Sequence, residues 1–111
     1  MATSIQGRMT TPLQIAVLVC AGTFALQAQA NEALANKSGC LGCHAVATKL
    51  VGPAYKDVAA KYAGQADAQA MLAQSIRNGS VGKWGELPMP AHPKLSDADV
   101  KKLAAWVLSA K

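Results

Sequence analysis

Aromatic and charged residues are scarce in this sequence. Phenylalanine, tyrosine and tryptophan make up 5% of the 111 residues, and charged side chains make up 15%. A nucleic-acid-binding protein usually has a dense basic patch, often interleaved with aromatic side chains. The lysines here are scattered along the chain, so we expect no nucleic acid as a partner. The sequence also has no internal repeat and no low-complexity linker, which indicates one domain.

A long apolar run is also missing, because no segment reaches the roughly 20 apolar residues of a membrane-spanning helix. Residues 15–26 are apolar apart from Thr23, and they are followed by the small residues Ala28 and Ala30. An apolar run of about 7–15 residues before a small-x-small site is typical of a secretory signal peptide. We predict a cleaved signal peptide over residues 1–30 and export of residues 31–111 without stable membrane insertion. The alternative is a retained N-terminal anchor.

Cysteine is rare, with three residues in the chain. Cys20 lies in the predicted signal peptide and would leave with it, so only Cys40 and Cys43 remain and a disulfide network is excluded. The predicted mature chain has ten basic and six acidic side chains, a net charge of +4. The hydrophobic core of a domain this small rarely contributes more than about 3–5 kcal/mol of stability, and such domains usually need a disulfide, a metal or a similar cross-link as well. We therefore expect something besides side chains to fill the core.

Helices dominate the predicted secondary structure, and no strand is convincing. Ser96 and Asp99 resemble a capping box at the start of the last helix. Asp67 is placed to cap another helix that reaches Asn78, with Gly79 ending it in a left-handed conformation. A shorter helix follows Pro53, and a first one covers about residues 32–38. The apolar faces expected at helical spacing are Tyr55, Val58, Ala59 and Tyr62, then Ala68, Leu72 and Ile76, then Val100, Leu103, Ala104, Val107 and Leu108.

The segment Cys40-Leu41-Gly42-Cys43-His44 has the pattern C-x-x-C-H, which is the haem-attachment signature. On a helical turn the two cysteines occupy neighbouring positions of one face. Both sulfurs can then reach the two vinyl groups on one side of a porphyrin and form thioethers. His44 follows directly and can present a ring nitrogen to the iron. We predict that Cys40 and Cys43 bind one haem covalently and that His44 is an iron ligand.

Three other readings of the two cysteines compete with haem attachment. A thioredoxin-like redox pair should lie in a βαβ pattern, which this chain lacks. A zinc site needs four ligands, and beyond this motif only His92 is available. A disulfide between Cys40 and Cys43 is the third reading, in keeping with an exported protein.

A second axial ligand must come from a distant part of the chain, and Met71, Met89 and His92 are the candidates. Met71 lies in an amphipathic helix, where methionine usually fills the core. Residues 79–93 contain three glycines and three prolines, so they form a loop. Met89 lies in this loop between two prolines that restrict its backbone, and a methionine exposed in a loop has no packing role. We predict Met89 as the ligand and keep His92 as the alternative.

The sequence resembles the short bacterial class I cytochromes c of the cytochrome c-551, or c8, group over almost all of residues 31–111. The matching segments are the cysteine motif, residues 51–61 and residues 78–90. The resemblance implies an all-α fold with four to five short helices wrapped around one covalently bound haem c that has one exposed edge. It also implies Met89 as the distal ligand, the Pro53 carbonyl as acceptor for the second ring nitrogen of His44, and Trp84 as a donor to a haem propionate.

Two positions depart from the group. His92 stands where its members often have an asparagine bonded to the methionine sulfur. Ser75 stands where they often have a basic residue for a propionate, and Arg77 lies on another face of the same helix.

The function implied by the resemblance is that of a monomeric periplasmic electron carrier rather than an enzyme. Its partners in respiration or denitrification would be redox proteins such as cytochrome cd1 nitrite reductase, a terminal oxidase, a quinol-oxidising complex or a blue copper protein. A haem-based gas sensor and a small haem enzyme are the alternatives. A further hypothesis is that an acidic partner docks on lysines near the exposed haem edge. These lysines are Lys37, Lys49, Lys83 and Lys94.

Overall fold

The structure, a computed structural model, describes residues 31–111. The predicted signal peptide, its cleavage site and Cys20 lie outside the described residues. Within residues 31–111 the chain is all-α and has no strand, as predicted. The elements are helix α1 over residues 31–37, a 3₁₀ turn over Cys40–Gly42, α2 over Tyr55–Tyr62, α3 over Ala68–Asn78 and α4 over Asp97–Leu108. No helix in this range has the length and apolar composition needed to cross a membrane.

Helix α4 lies at the centre of the fold and packs against both α2 and α3. Leu103 and Ala104 on its inner face are almost completely buried. The predicted apolar faces form the core, except that Ala59 and Leu108 are only half-buried. Burial of these faces out of water supplies the main favourable free energy of folding. The buried core residues are Ala35, Tyr55, Val58, Tyr62, Ala68, Leu72, Ile76, Val100, Leu103, Ala104 and Val107.

The start of α4 is fixed by a cap and by an arginine from α3. Ser96 is the N-cap, and its hydroxyl accepts a hydrogen bond from the backbone N–H of Asp99 at 3.1 Å. Such a cap typically stabilises a helix by about 1 kcal/mol. Arg77, in the last turn of α3, donates to the Leu95 carbonyl at 2.7 Å and pairs with Asp97. Because Asp97 is 89% exposed, the ion pair contributes little, and the bond to Leu95 is what ties α3 to the start of α4.

Both ends of α3 differ in detail from the sequence prediction. Asp67 is the N-cap residue, but its side chain makes no capping hydrogen bond. Its backbone (φ −97°, ψ 8°) lacks the extended conformation that usually lets an N-cap side chain turn back onto the helix. Gly79 ends the helix with the expected positive φ of 79°, but its ψ of 176° is extended rather than left-handed helical. The chain therefore leaves α3 in an extended direction.

The predicted loop over residues 79–93 is free of helix, and the irregular segment continues to the N-cap of α4 at Ser96. One isolated antiparallel bridge closes it, between Ser80 and Met89. The backbone N–H of His92 donates to the carbonyl of Ile76 at 3.0 Å, so the end of the loop returns to the last turn of α3. The bridge to Ser80 fixes Met89 relative to the helical core, and the bond to Ile76 fixes His92.

Candidate functional site

The two cysteines lie on the 3₁₀ turn that follows α1. The N–H groups of Cys43 and His44 both donate to the carbonyl of Cys40, at 3.2 and 3.0 Å. Side chains three residues apart on a 3₁₀ turn eclipse one another, so Cys40 and Cys43 project from the same face. Cys40 is half-buried and Cys43 is exposed. Burial raises the pKa of the Cys40 thiol above its usual value.

His44 is held by the segment that precedes α2. The N–H of Gly52 donates to the Cys43 carbonyl at 2.8 Å, which brings residues 52 and 53 against the imidazole. Nδ1 of His44 lies 2.8 Å from the carbonyl oxygen of Pro53. A carbonyl can only accept, so Nδ1 carries the proton and Nε2 of the neutral ring keeps a lone pair. This second bond is the kind that orients metal-ligating histidines.

Two further contacts confine the His44 ring. A Cβ at Gly52 would lie 2.7 Å from Nδ1 and 2.9 Å from Nε2, so only glycine leaves room for the imidazole. The phenol ring of Tyr55 stacks on it, with centroids 5.0 Å apart, and Trp106 packs edge-on against Tyr55 at 5.3 Å. Tyr55 and Trp106 thus connect His44 to the core.

Met89 is held at the end of α3. Ser80 N–H donates to the Met89 carbonyl at 3.1 Å, and Met89 N–H donates to the Ser80 carbonyl at 2.8 Å. Its side chain is half-buried and packs against the core, so it is less exposed than a loop position suggested. A Cβ at Gly79 would lie 2.6 Å from the Met89 carbonyl oxygen. The methionine therefore depends on a glycine beside it in space, as His44 does.

His44 and Met89 share the walls of three cavities, of about 310, 80 and 70 Å³. Met71 lines none of the three and packs against the core instead. His92 lines the second cavity together with Cys40 and Cys43. The structure thus places the haem-attachment motif, Cys40 to His44, close to Met89. It places His92, the alternative ligand, at the same cavity.

The residues around these cavities fit a haem. The third cavity is walled largely by core side chains, including Tyr62, Leu72 and Ile76. No polar or charged side chain is fully buried in residues 31–111, so the interior suits a largely apolar macrocycle. Thiols, an imidazole and a thioether are the donor groups found around c-type haem.

A polar edge borders the first and third cavities, and Trp84 and Lys83 line both. Trp84 is 40% exposed, and its indole N–H has no hydrogen-bond partner among the described residues. Lys61 Nζ lies 4.4 Å from the centre of the Trp84 ring and donates to the Lys83 carbonyl at 3.2 Å. The edge of the cavity is therefore electropositive, which suits a carboxylate.

Lys83 was expected near the exposed haem edge as a docking residue, but the sequence did not reveal that its side chain reaches α3. Its ammonium donates to the Ser75 hydroxyl at 3.0 Å, so a positive charge does lie at the position where the sequence showed only a serine. Arg77 is turned away towards α4, as its helical position implied. The available signal was that Lys83 directly precedes Trp84, which by itself does not show that its side chain reaches back to α3.

Fold and site together define a small all-α domain whose cavities are lined by two cysteines, an imidazole and a thioether, which are groups that hold a c-type haem. The family model for cytochrome c matches residues 28–111. Cytochrome c-551 of Pseudomonas aeruginosa is 52% identical over 103 residues, which cover 90% of this chain and 98% of that protein. The chain belongs to the cytochrome c family.

Solved structures agree with this assignment. The crystal structure of wild-type Nitrosomonas europaea cytochrome c552 is similar with a TM-score of 0.70 and 54% identity, covering 72% of this chain and 99% of that one. A class 1 cytochrome from Sideroxydans lithotrophicus is similar with a TM-score of 0.65 and 35% identity, covering 74% and 94%. The chain is thus an electron-transfer protein rather than an enzyme, and it carries one covalently bound haem c.

Proposed function

We propose that this chain is a periplasmic single-electron carrier with haem c attached through Cys40 and Cys43 and ligated by His44 and Met89. The observation that carries the proposal is the shared position of His44 and Met89. Both line all three cavities, and each is fixed by backbone hydrogen bonds from a different segment. Because the chain itself positions both side chains, His44 and Met89 would hold the iron and would leave no open position for a substrate.

The chemistry that the haem supplies when bound is a one-electron change at its iron. The residues of this chain would determine the reduction potential of the iron and its exposure to water. His44, with its proton held on Nδ1 by Pro53, presents a basic Nε2. The thioether of Met89 raises the reduction potential relative to ligation by two histidines. The core side chains of α2, α3 and α4 keep water from the buried part of the cavity.

Charge at the polar edge supports the placement of the haem carboxylates there. Trp84 has an indole N–H available as a donor, and Lys83 brings its ammonium to Ser75. We infer that Trp84 and Lys83 together face a propionate, with Lys83 in the role that a basic residue at position 75 would have. A cation beside the haem favours the reduced state, because it opposes the extra positive charge of the oxidised iron.

An apolar rim around the opening supports a docking surface for redox partners. The exposed side chains of Leu50, Val51 and Leu87 line the cavity of about 310 Å³ together with Lys49 and Lys83. An apolar centre with charged groups beside it is a common design for transient interfaces. Lys37 and Lys94 line none of the three cavities, so of the four lysines considered only two border this opening.

The partners we propose are those of the related bacterial electron carriers. A nitrite reductase of the cd1 type or a terminal oxidase would accept the electron, and a quinol-oxidising complex or a blue copper protein would supply it. The predicted signal peptide over residues 1–30 supports export, because haem attachment and these partners then lie in the same compartment.

Intact mass and a redox titration of protein isolated from the periplasm test the proposal. We expect the mass of residues 31–111 plus one haem that survives denaturation, since thioethers are covalent. The titration should be reversible, with about 59 mV per tenfold change in the ratio of oxidised to reduced protein, as one electron requires. The matched variant Cys40→Ala/Cys43→Ala should lose the haem on denaturation. A haem that is extracted from the wild-type protein, or a two-electron slope, would contradict the proposal.

A further inference from the structure

His92 lies in the loop three residues after Met89 and is half-buried. It lines the cavity of about 80 Å³ whose walls include Cys40, Cys43, His44 and Met89. A loop histidine without a further role would point into solvent, where its ring is hydrated. This imidazole instead belongs to the wall of the haem cavity, and neither the cysteine motif nor the proposed ligand pair uses it.

The carbonyl of Ile76, in the last turn of α3, holds His92 twice. It accepts the backbone N–H of His92 at 3.0 Å, and Nδ1 of the ring lies 3.3 Å from the same oxygen. Because a carbonyl can only accept, the ring proton is on Nδ1 and the lone pair of the neutral ring is on Nε2. The tautomer of His92 is therefore fixed by the protein.

His44 has the same arrangement, with Nδ1 bonded to the carbonyl of Pro53 at 2.8 Å. Histidines that ligate metals almost always give their second N–H to a carbonyl, a carboxylate or water. The two histidines of the described chain thus share a tautomer, a backbone anchor and a cavity. His92 differs from His44 in lining one of the three cavities rather than all three, and we assign the second ligand position to Met89.

We propose that His92 is a reserve iron ligand, whose Nε2 takes the position of Met89 whenever the thioether is absent. This inference rests on the proposed function, because it requires His44 and Met89 as the native pair. Pro90 and Pro93 restrict the backbone on either side, so the imidazole stays close to the cavity.

The consequence is a protein that stays closed to external ligands after losing its methionine, but with changed electron-transfer properties. Two imidazoles give a lower reduction potential than an imidazole and a thioether. On losing the thioether, a protein with a second ligand in reserve would therefore become a weaker oxidant. It would not become a haem protein with an open position for gases.

The test compares holoproteins of wild type, Met89→Ala, His92→Ala and Met89→Ala/His92→Ala at neutral pH, by absorption and electron paramagnetic resonance. Met89→Ala should be six-coordinate and low-spin with a lower potential than wild type. The double variant should be high-spin, and its reduced form should bind carbon monoxide at least about tenfold more tightly than Met89→Ala, because no internal ligand competes. Met89→Leu, which preserves volume, is measured in the same way if Met89→Ala holds no haem.

A high-spin Met89→Ala protein that matches the double variant overturns the reserve-ligand proposal, and so does a double variant that remains low-spin through another residue. His92→Ala should keep the ligand spectrum of the wild type. If it does not, His92 is the native ligand and the assignment of Met89 under the proposed function is what fails.

Discussion

Ser80 and Met89 exchange two backbone hydrogen bonds, so the methionine is fixed to the end of α3 and not to the tip of its own loop. Residues 81–88, which lie between the two, contribute no helix or strand. The position of the sulfur therefore depends on α3, whose inner face packs on α4. This makes the residues at the α3 end, and Gly79 above all, determinants of the haem site.

Gly79→Ala should disturb the methionine. The residue has a φ of +79°, and a Cβ would lie 2.6 Å from the Met89 carbonyl oxygen. We expect a loss of about 1–3 kcal/mol in the free energy of unfolding and weaker sulfur ligation in the oxidised absorption spectrum. The matched control is Gly82→Ala, which has the same φ of +79° but no atom within 4 Å of the added Cβ. Equal spectra for the two variants would show that the contact with Met89 is unimportant.

Gly52→Ala should act on His44, the other proposed ligand. A methyl group there collides with the His44 ring and pushes it away from the Pro53 carbonyl. Losing that hydrogen bond costs roughly 0.5–1.5 kcal/mol, apart from the cost of the collision. We expect a smaller yield of holoprotein and a lower midpoint in denaturant unfolding. Val51→Ala, at a neighbouring position that is 58% exposed, should leave both unchanged, and a Gly52→Ala protein that behaves like it would refute the prediction.

Lys83→Met should lower the reduction potential, because it removes a positive charge that favours the reduced state. The expected change in the reduction equilibrium is a few-fold to about tenfold, where tenfold corresponds to about 59 mV. Lys101→Met, on the exposed side of α4, makes the same change in net charge and should shift the potential much less. Adding Ser75→Arg to Lys83→Met should restore most of the loss. A shift of equal size in the Lys83 and Lys101 variants would mean that only net charge matters.

If redox partners dock at the cavity opening, removing a lysine there should slow electron transfer more than removing a lysine elsewhere. Lys49→Ala should slow the reaction with an acidic redox partner at low ionic strength, and the difference from wild type should shrink as salt is added. Lys94→Ala should have little effect, because Lys94 lines none of the three cavities. The measurement is the second-order rate constant by stopped flow across a salt series. Rates that do not vary with salt would exclude electrostatic docking.

The sequence predicted much of the fold because its signals were local. Helical spacing placed the buried faces of α2, α3 and α4, and Ser96 marked the start of the last helix. Pro88 and Pro90 separated Met89 from Met71, since a helix interior tolerates no proline. The structure bears out the loop and places Met71 against the core.

The parts that the sequence left open depend on contacts between distant segments. The bond from Lys83 to Ser75 needs a loop side chain to reach back to α3. The contact between Gly52 and the His44 ring depends on a turn that no periodicity describes. The Pro53 carbonyl was expected as the acceptor for His44 only through resemblance to a family, because every residue has a carbonyl and spacing alone does not select one.

The absorption spectrum of the reduced wild-type protein at neutral pH, recorded before and after addition of carbon monoxide, tests the central claim most directly. If His44 and Met89 fill both axial positions, the spectrum is low-spin and carbon monoxide changes it hardly at all. A high-spin spectrum, or rapid and complete conversion to a carbon monoxide complex, would show an open iron position and contradict the account of this chain as a simple electron carrier.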